Sequence, residues 1–583
     1  MLIASVVFNL NQVDNKTIIS ILKRTTTLLY LHGANPFQAR RYSNAALFVE
    51  NLGQEFTNLP HQEIEYLSST HPKTIQLIQD IQNTGTLERL EALIANTPPG
   101  VLAMLELKGL GPKKVSTLWK ELGVETLAAL LAACKNNQVS QLSGFGVKTQ
   151  ALIVESLAWQ ENHKNMFLYA TALPYAQALE DALKYHFPDA LISLVGNLRR
   201  QREVIEKVVL LIGTEQPEPI RTWLSVYPSI KQNKQLSGIF AWRGIFTENN
   251  LQVCILFCPV REFYKQLILQ TGSRKHLALP GPNNQYLGEA VSKSPYSANS
   301  ELEIYQQVGL PYFPPELREG MAELAWLQAG QPTLITMQSL QGILHNHTTY
   351  SDGQDTLEVM AQYCKDLGYT YIGVTDHSQA ANYAGGLNLD EIRAQHQLID
   401  TLNQKLAPFK IFKGIEVDIL GDGSLDYSPN ILASFDFTIA SIHSNLTMDQ
   451  KTATERLLQA IKNPFTTILG HPTGRVLLKR PGYSIDYQAI IEACAKYGVI
   501  IEINANPWRL DLDWRWIKTA IEKGVCVSIN PDAHHRHEIQ NVFYGVLMGR
   551  KGGLTATHTF NALSSMAVDK HFQQRKASAL KIL

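Results

Sequence analysis

The chain has 583 residues, 45% of them hydrophobic, and its 52 Lys and Arg balance its 52 Asp and Glu. That length implies several domains and more than one sizeable core. Charge parity, which holds on either side of residue 340, argues against a protein that coats nucleic acid or anionic membrane by bulk charge, and leaves room for a local phosphate-binding surface.

Residues 1–10 are apolar but lack a basic flank and a small-residue cleavage site, and no later apolar run approaches the roughly 18 residues of a membrane span. The expectation is a cytoplasmic protein without membrane contact, its first residues a short strand or extra turn. Residues 16–93 read as short helices: NKTIISILKRTTTLLYLHG, QARRYSNAALFVENL and HPKTIQLIQDIQNTGTLERLEALI hold apolar residues at three-to-four spacing, and GANPF interrupts them. From 101 to 157 the chain repeats itself at an offset of 35 residues, Leu107-Lys-Gly-Leu-Gly-Pro-Lys113 aligning with Leu142-Ser-Gly-Phe-Gly-Val-Lys148. Strand-like runs ALISLV, KVVLLIG and LQVCILFC follow between about 190 and 260. ALPGPNNQYLG then marks a loop, and GLPYFPPELREG is Pro-rich punctuation before a last helix.

The style of the sequence changes at 331–341. From there seven apolar runs alternate with amphipathic helical stretches: 342–344, 371–375, 411–415, 437–441, 466–470, 499–503 and 525–529. Repeated β-then-α with Val/Ile-rich strands predicts a parallel sheet covered by helices, either open or closed into a barrel. In both, chemistry gathers at the C-terminal ends of the strands. Ligand-type residues stand there: His345, His347 and Asp352 after the first strand, His377 after the second, Glu416 after the third, His443 after the fourth, His471 after the fifth, Asp532 and His534 after the seventh. Residues at i and i+2 on extended backbone point the same way, so His345/His347 and Asp532/His534 can each pinch one ion. Imidazole with carboxylate and no thiolate suits Zn, Mn or Fe. The six cysteines, Cys134, Cys254, Cys258, Cys364, Cys494 and Cys526, form no CxxC pair and suit a reducing compartment. Nine ligands exceed the needs of one ion, so two or three divalent ions are expected, with Glu416 as the bridging carboxylate. Ions roughly 3.5–4 Å apart bind the attacking and leaving oxygens of a phosphate ester, which points to P–O hydrolysis.

HNHTTYSDG, TDHS, GIEVDI, SIHS, GHPTGR, EINANPWRLDL and PDAH resemble the motif series of the PHP (polymerase and histidinol phosphatase) domain. The resemblance implies a distorted seven-stranded βα barrel with a trinuclear metal site. In it His345, His347, Glu416 and Asp532 would hold one metal, Asp352, His377 and His534 a second, and Glu416, His443 and His471 a third. Arg475 and Arg509 are candidate phosphate contacts, because a planar guanidinium suits bidentate binding; the alternative is a solvated loop arginine. With Glu416 and Asp352 they make up the candidate catalytic set. His535, His537 and His558 read as surface residues.

The repeated Gly109-x-Gly111 and Gly144-x-Gly146 segments have the form of helix-hairpin-helix turns. Amides opening the following helix can face a DNA phosphate with Lys113, Lys114 or Lys148 beside them, unless the glycines serve only as helix caps. Together with NPFQARRYSNAALFVENL, GNLRRQREV, LQTGSRKH and GLPYFPPELREG, the order resembles the bacterial family X DNA polymerases. This implies a helical lyase-like domain (1–93), a helix-hairpin-helix domain (94–165), an α+β palm (166–260) and a thumb (261–330), followed by a linker (331–340) and the PHP barrel (341–583). Lys23 is the local candidate for a lyase lysine. SSTHPKTIQLI lacks the glycines of the first hairpin of that family. Where the palm would carry its three metal-binding aspartates stand Lys207, Val209 and Cys254, which cannot hold Mg²⁺. Nucleotide addition is therefore expected to be absent, with Arg199, Arg200, Arg202, Arg274 and Lys275 left to contact DNA. The reading is a monomeric metal-dependent phosphoesterase acting on 3′ ends or gapped DNA in repair. A small-molecule phosphatase, a non-enzymatic DNA-binding module and a working polymerase are the alternatives.

Overall fold

The computed structural model describes residues 13–582 apart from 51, 53–55, 108, 282–284 and 295–297. The strand or turn expected for the first ten residues lies outside the described residues. The chain divides into two units, Met1–Lys164 and Asn165–Leu583. Among the described residues no helix is long and apolar enough to cross a membrane.

The first unit is helical. Its opening helix, Asn15–Leu31, is capped by the Asp14 side chain, which accepts from the Thr17 amide. Its apolar stripe packs with residues as distant as Leu157, so the segments on either side of residue 93 share one core. Where glycines are missing near 66–76, the helices His61–Thr70 and Pro72–Thr84 meet at His71, with Pro72 opening the second. In the repeat, Gly109 and Gly144 take φ of 84° and 81°, the left-handed region that favours glycine. Gly111 and Gly146 are the N-caps of the helices Pro112–Leu122 and Val147–Asn162.

The second unit begins with the strands β1 (Phe167–Leu168), β2 (Leu191–Leu194), β3 (Val204–Ile205), β4 (Lys207–Gly213), β5 (Ile230–Gln232), β6 (Ala241–Phe246) and β7 (Gln252–Cys258). β1 pairs with β3, and the rest form a mixed sheet in the order β2-β4-β7-β6-β5. β5 and β6 have no apolar run in the sequence because only one of their faces is buried; Lys231 and Arg243 point outward from them. Short helices between Phe263 and Ala329 then gather around Ile268, Leu287, Ile304 and Phe313.

All seven expected barrel strands form: β8 (Gly342–Ile343), β9 (Tyr371–Val374), β10 (Lys410–Asp418), β11 (Phe437–Ser441), β12 (Ile468–Leu469), β13 (Ile500–Asn504) and β14 (Val527–Asn530). They lie parallel in chain order, and a parallel bridge between Asn346 and Ala533 brings the edges β8 and β14 together, so the barrel is nearly closed. Its N-terminal floor is aromatic, with Phe437 stacked on Phe572 of the last helix, ring centroids 4.7 Å apart. Gly373 and Gly414 make room for the Phe437 ring, which a Cβ at either position would meet at 2.6 and 2.5 Å. Residues 331–340, expected as a linker, are tied to the barrel. Ile335 is buried, its amide donates to Leu554 O and its carbonyl accepts from Arg550 Nη1, each at 2.9 Å.

Candidate metal centre

The strand exits converge at the C-terminal mouth of the barrel. Beyond β8 the backbone stays extended because His347 N donates to Ala533 O at 2.8 Å, across the closing edge. His345 and His347 therefore point the same way, both fully buried, with ring centroids 5.2 Å apart. Asp352 stands on the turn that follows, held by buried Asp376, which accepts from Thr348 N, Thr348 Oγ1 and Ser351 Oγ at 2.6–2.7 Å. At the other edge Asp532 takes a left-handed φ of 53°, uncommon for a residue with a side chain. Asn504 Nδ2 donates to its Oδ2 at 2.9 Å.

Glu416, on β10 and 1% exposed, lies among five imidazoles. Its Oε2 is 3.5 Å from His345 Nε2, 3.6 Å from His347 Nε2 and 3.0 Å from His377 Nδ1, while Oε1 is 3.2 Å from His443 Nε2 and 3.0 Å from His471 Nε2. Among the described residues three groups of donor atoms are close enough together to share an ion: His345, His347 and Asp532; His347, Asp352, His377 and His534; and His377, Glu416 and His443. His347 and His377 thus stand between groups, a sharing that spacing in the sequence does not reveal. None of His535, His537 and His558 joins them.

Three carboxylates face these imidazoles, Glu416 and Asp532 buried and Asp352 exposed. Burial pushes Glu416 up, but His443, His345 and His377 outweigh it and hold the carboxyl well below its usual range. Asp532 and Asp352 are likewise held low by neighbouring histidines against burial. Burial lowers His534 while Asp352 and Asp532 raise it further, to about 9. His347, pressed by burial and by His534 and His377, drops to about 3. The residues fit metal ions. Among the described residues, buried His345 Nε2 and His347 Nδ1 have no hydrogen-bond partner, and the gaps of His345 Nε2 to Asp532 Oδ1 (3.5 Å) and His347 Nδ1 to Asp352 Oδ1 (3.7 Å) exceed hydrogen-bond length. An ion about 2.0–2.2 Å from each atom spans such gaps.

Two supporting carboxylates were not foreseen. Asp418 Oδ1 lies 2.5 Å from His443 Nδ1, and fully buried Glu502 receives His345 Nδ1 at 2.7 Å and His471 N at 2.8 Å. Each fixes a ring so that the other nitrogen faces the cluster. A signal existed for Asp418, two residues beyond Glu416 on the same strand; Glu502 lay inside EINANP without spacing to mark it.

The expected arginines divide. Arg509 stands at the mouth with Nε 3.4 Å from Asp532 Oδ2. Arg475 is instead a loop clamp: Nε donates to Arg509 O at 2.8 Å, Nη2 to Leu510 O, and Nη1 to Asp513 at 2.5 Å. Arg199 and Arg200, expected on DNA, are instead both turned inward. Arg199 makes a bidentate pair with Glu301 at 2.7–2.9 Å, and Arg200 donates to Glu319 at 3.1 Å; buried guanidinium has to be paired. Arg202 bridges Glu203 and Glu319, whereas Arg274 and Lys275 remain exposed. Lys23 pairs with Glu50 at 2.5 Å. In the first unit Gly109, Gly111, Gly144, Gly146, Lys113 and Lys148 are all exposed, while Lys114 is bonded to Gly109 O at 3.3 Å and lies over the Phe145 ring. In the mixed sheet Val209 sits directly opposite Cys254, and Lys207 two residues before it shares their face. Arg243 faces Cys254 from β6.

Comparison with known proteins places these parts in one family. Residues 344–506 match the PHP domain, residues 13–87 a helix-hairpin-helix domain and residues 101–158 a SAM-like helix-hairpin-helix tandem. The chain is 33% identical over 570 residues to the DNA polymerase/3′-5′ exonuclease PolX of Bacillus subtilis (strain 168), covering 95% of this chain and 98% of that protein. A probable phosphatase of Thermoanaerobacter sp. (strain X514) is 29% identical over 238 residues, 38% of this chain and 90% of the relative. Another, from Caldanaerobacter subterraneus, is 32% identical over 201 residues, 33% of this chain and 74% of the relative. The chain thus belongs to the family X DNA polymerase/3′-5′ exonuclease PolX family, with helix-hairpin-helix domains ahead of a metal-dependent C-terminal PHP domain.

Proposed function

We propose that this protein is a DNA 3′-end phosphoesterase: a metal-dependent 3′-5′ exonuclease or end-processing hydrolase that does not add nucleotides. The observation that carries the hydrolytic part is Glu416 among five imidazoles, flanked by Asp352 and Asp532, at the barrel mouth. His345, His347, Asp352, His377, Glu416, His443, His471, Asp532 and His534 would hold two or three divalent ions, of zinc, manganese or iron. Bound there, such ions supply Lewis-acid activation of water and of the phosphoryl oxygens. The chain's own groups do the rest. Glu502 and Asp418 keep a proton on His345 Nδ1 and His443 Nδ1, leaving each Nε2 free to ligate. Arg509 offers its guanidinium to a non-bridging phosphate oxygen beside Asp532.

Support for DNA as the substrate comes from the two hairpins. Among the described residues a Cβ at Gly111 or Gly146 would meet nothing within 4 Å, so no close packing by them demands glycine there, and a phosphate can approach the helix amides closely. The absence of nucleotide addition is supported by the side-by-side placement of Lys207, Val209 and Cys254 with Arg243, a face that carries cations where hard-oxygen ligands would be needed.

The phosphatase relatives favour a second reading, hydrolysis of small phosphate monoesters at the same centre. Turnover of 3′-labelled single-stranded and gapped DNA, compared with p-nitrophenyl phosphate, separates the two. We expect EDTA-sensitive release from the DNA 3′ end, lost in His345→Ala/His347→Ala, and no primer extension with Mg²⁺ or Mn²⁺. Monoester turnover without any DNA cleavage would replace the leading reading with the second, and extension would refute the loss of polymerase chemistry.

A further inference from the structure

The backbone at Arg509 is linked through a row of ion pairs to a residue outside the barrel. Its segment, Asn506–Asp513, is gripped by Arg475, whose guanidinium donates to Arg509 O, Leu510 O and Asp513 Oδ2. Asp513 in turn accepts from Arg515, through the backbone amide at 3.0 Å and Nη1 at 2.7 Å. The same Arg515 Nη1 reaches Glu203 Oε1 at 3.0 Å. Glu203 belongs to the middle region, next to β3. It is 6% exposed, and its carbonyl accepts from Tyr169 N at 3.0 Å. Arg202 lies 3.5 Å from the Glu203 carboxylate and 3.4 Å from Glu319, which also pairs with Lys551.

Charge alternates along this row: Arg475, Asp513, Arg515, Glu203. With Glu203 in place, Arg475 and Arg515 share Asp513, and Arg515 has Glu203 as a second carboxylate, which Arg202 also faces. Without it, Arg515 has Asp513 as its remaining carboxylate and competes there with Arg475, whose side chain is 14% exposed, so that an unshared charge on Arg475 is costly. The contact that yields is free to be the one gripping Arg509 and Leu510. We propose that Glu203, contributed by the middle region and not by the barrel, is a positioning residue for Arg509. This rests on the reading of the barrel mouth as a phosphoesterase centre. The two parts of the second unit then make one working site, and the mixed sheet has a task in hydrolysis independent of nucleotide addition.

The test uses the full chain with Glu203→Ala, Glu203→Asp, Arg509→Ala and the double variant Glu203→Ala/Arg509→Ala. Hydrolysis of 3′-labelled DNA and of p-nitrophenyl phosphate, metal content and amide exchange are measured for each. A displacement of the guanidinium by about 1 Å predicts a roughly ten- to hundredfold fall in kcat/KM for Glu203→Ala at unchanged metal content. Glu203→Asp, which keeps the charge, recovers most of it. On the Arg509→Ala background the further loss disappears, because the two residues act through one contact. Exchange of amides 506–511 speeds up about tenfold in Glu203→Ala while the barrel strands stay protected. Additive losses, or unchanged exchange at 506–511, overturn the proposal. If the wild-type protein hydrolyses no phosphate ester, the phosphoesterase reading fails, and the exchange measurement alone still decides whether Glu203 holds the Arg509 segment.

Discussion

Glu502→Gln isolates how the metal centre is supported, because it changes one atom and no ligand. The carboxylate receives four N–H groups: Oε1 takes His345 Nδ1 at 2.7 Å and Asn530 Nδ2 at 3.0 Å, and Oε2 takes His471 N at 2.8 Å and Asn504 Nδ2 at 3.4 Å. Glutamine can accept on one side only. If its amide nitrogen faces His345, the imidazole has to switch tautomer and turn an N–H toward the ions, where no ligand remains. If it faces His471, a buried backbone N–H loses its acceptor, at a cost of about 1–3 kcal/mol, and the ring is displaced. Either outcome lowers metal affinity about ten- to hundredfold, the usual effect of removing a group that orients a ligand. That factor is about 1.4–2.7 kcal/mol. The assay is metal retained after dialysis against graded chelator, with 3′-end hydrolysis followed in parallel and far-UV circular dichroism as the folding control. Metal retention and hydrolysis within about twofold of wild type would refute the reasoning, since all four donors are within reach of that one side chain.

Glu301→Gln tests the ion pairs that hold Arg199 and Arg318. Burial raises the Glu301 carboxyl, but Arg199 and Arg318 bring it down from 4.5 to about 2, a shift of about 3 kcal/mol in linkage terms. A depressed acid stabilises the fold fully above its unfolded value and loses that contribution as pH falls through the folded one. The penalty in urea midpoint is therefore largest near pH 7 and shrinks below 4.5 toward 2; a penalty independent of pH contradicts the pairing. Gly100→Ala should destabilise the first unit by about 1–3 kcal/mol, because the new Cβ would lie 2.2 Å from Glu125 O; an unchanged thermal midpoint would show that the close approach is relieved cheaply. Lys113→Glu and Lys148→Glu should each weaken DNA binding at every sequence tested and lower the salt slope by about one, and an unaltered slope removes that hairpin from the DNA contact.

Much of the barrel was legible because its signals are local. Val/Ile-rich runs alternate with amphipathic stretches, and ligand-type residues recur immediately after the runs, so β8 to β14 and the residues at their exits follow from neighbours in the chain. The repeat at 107–113 and 142–148 was readable for the same reason, since a left-handed turn demands glycine at Gly109 and Gly144. β5 and β6 were not, because a strand buried on one face and only a few residues long carries too little pattern.

The arginines show where sequence stops. Arg199, Arg200 and Arg475 have the residue type for phosphate binding, and nothing beside them in the chain indicates a partner. Glu301 lies 102 residues from Arg199, and Asp513 lies 38 from Arg475; only folding brings them together, and burial then compels the pairing. The same holds for Glu203, 312 residues from Arg515, and for Glu502 beneath His345. Sequence by itself determined which residues could bind metal and on which strands they stand, because backbone periodicity sets direction. Tertiary structure decided which charges face the mouth and which are neutralised inside, because the cost of burying a charge depends on groups that the chain delivers from far away.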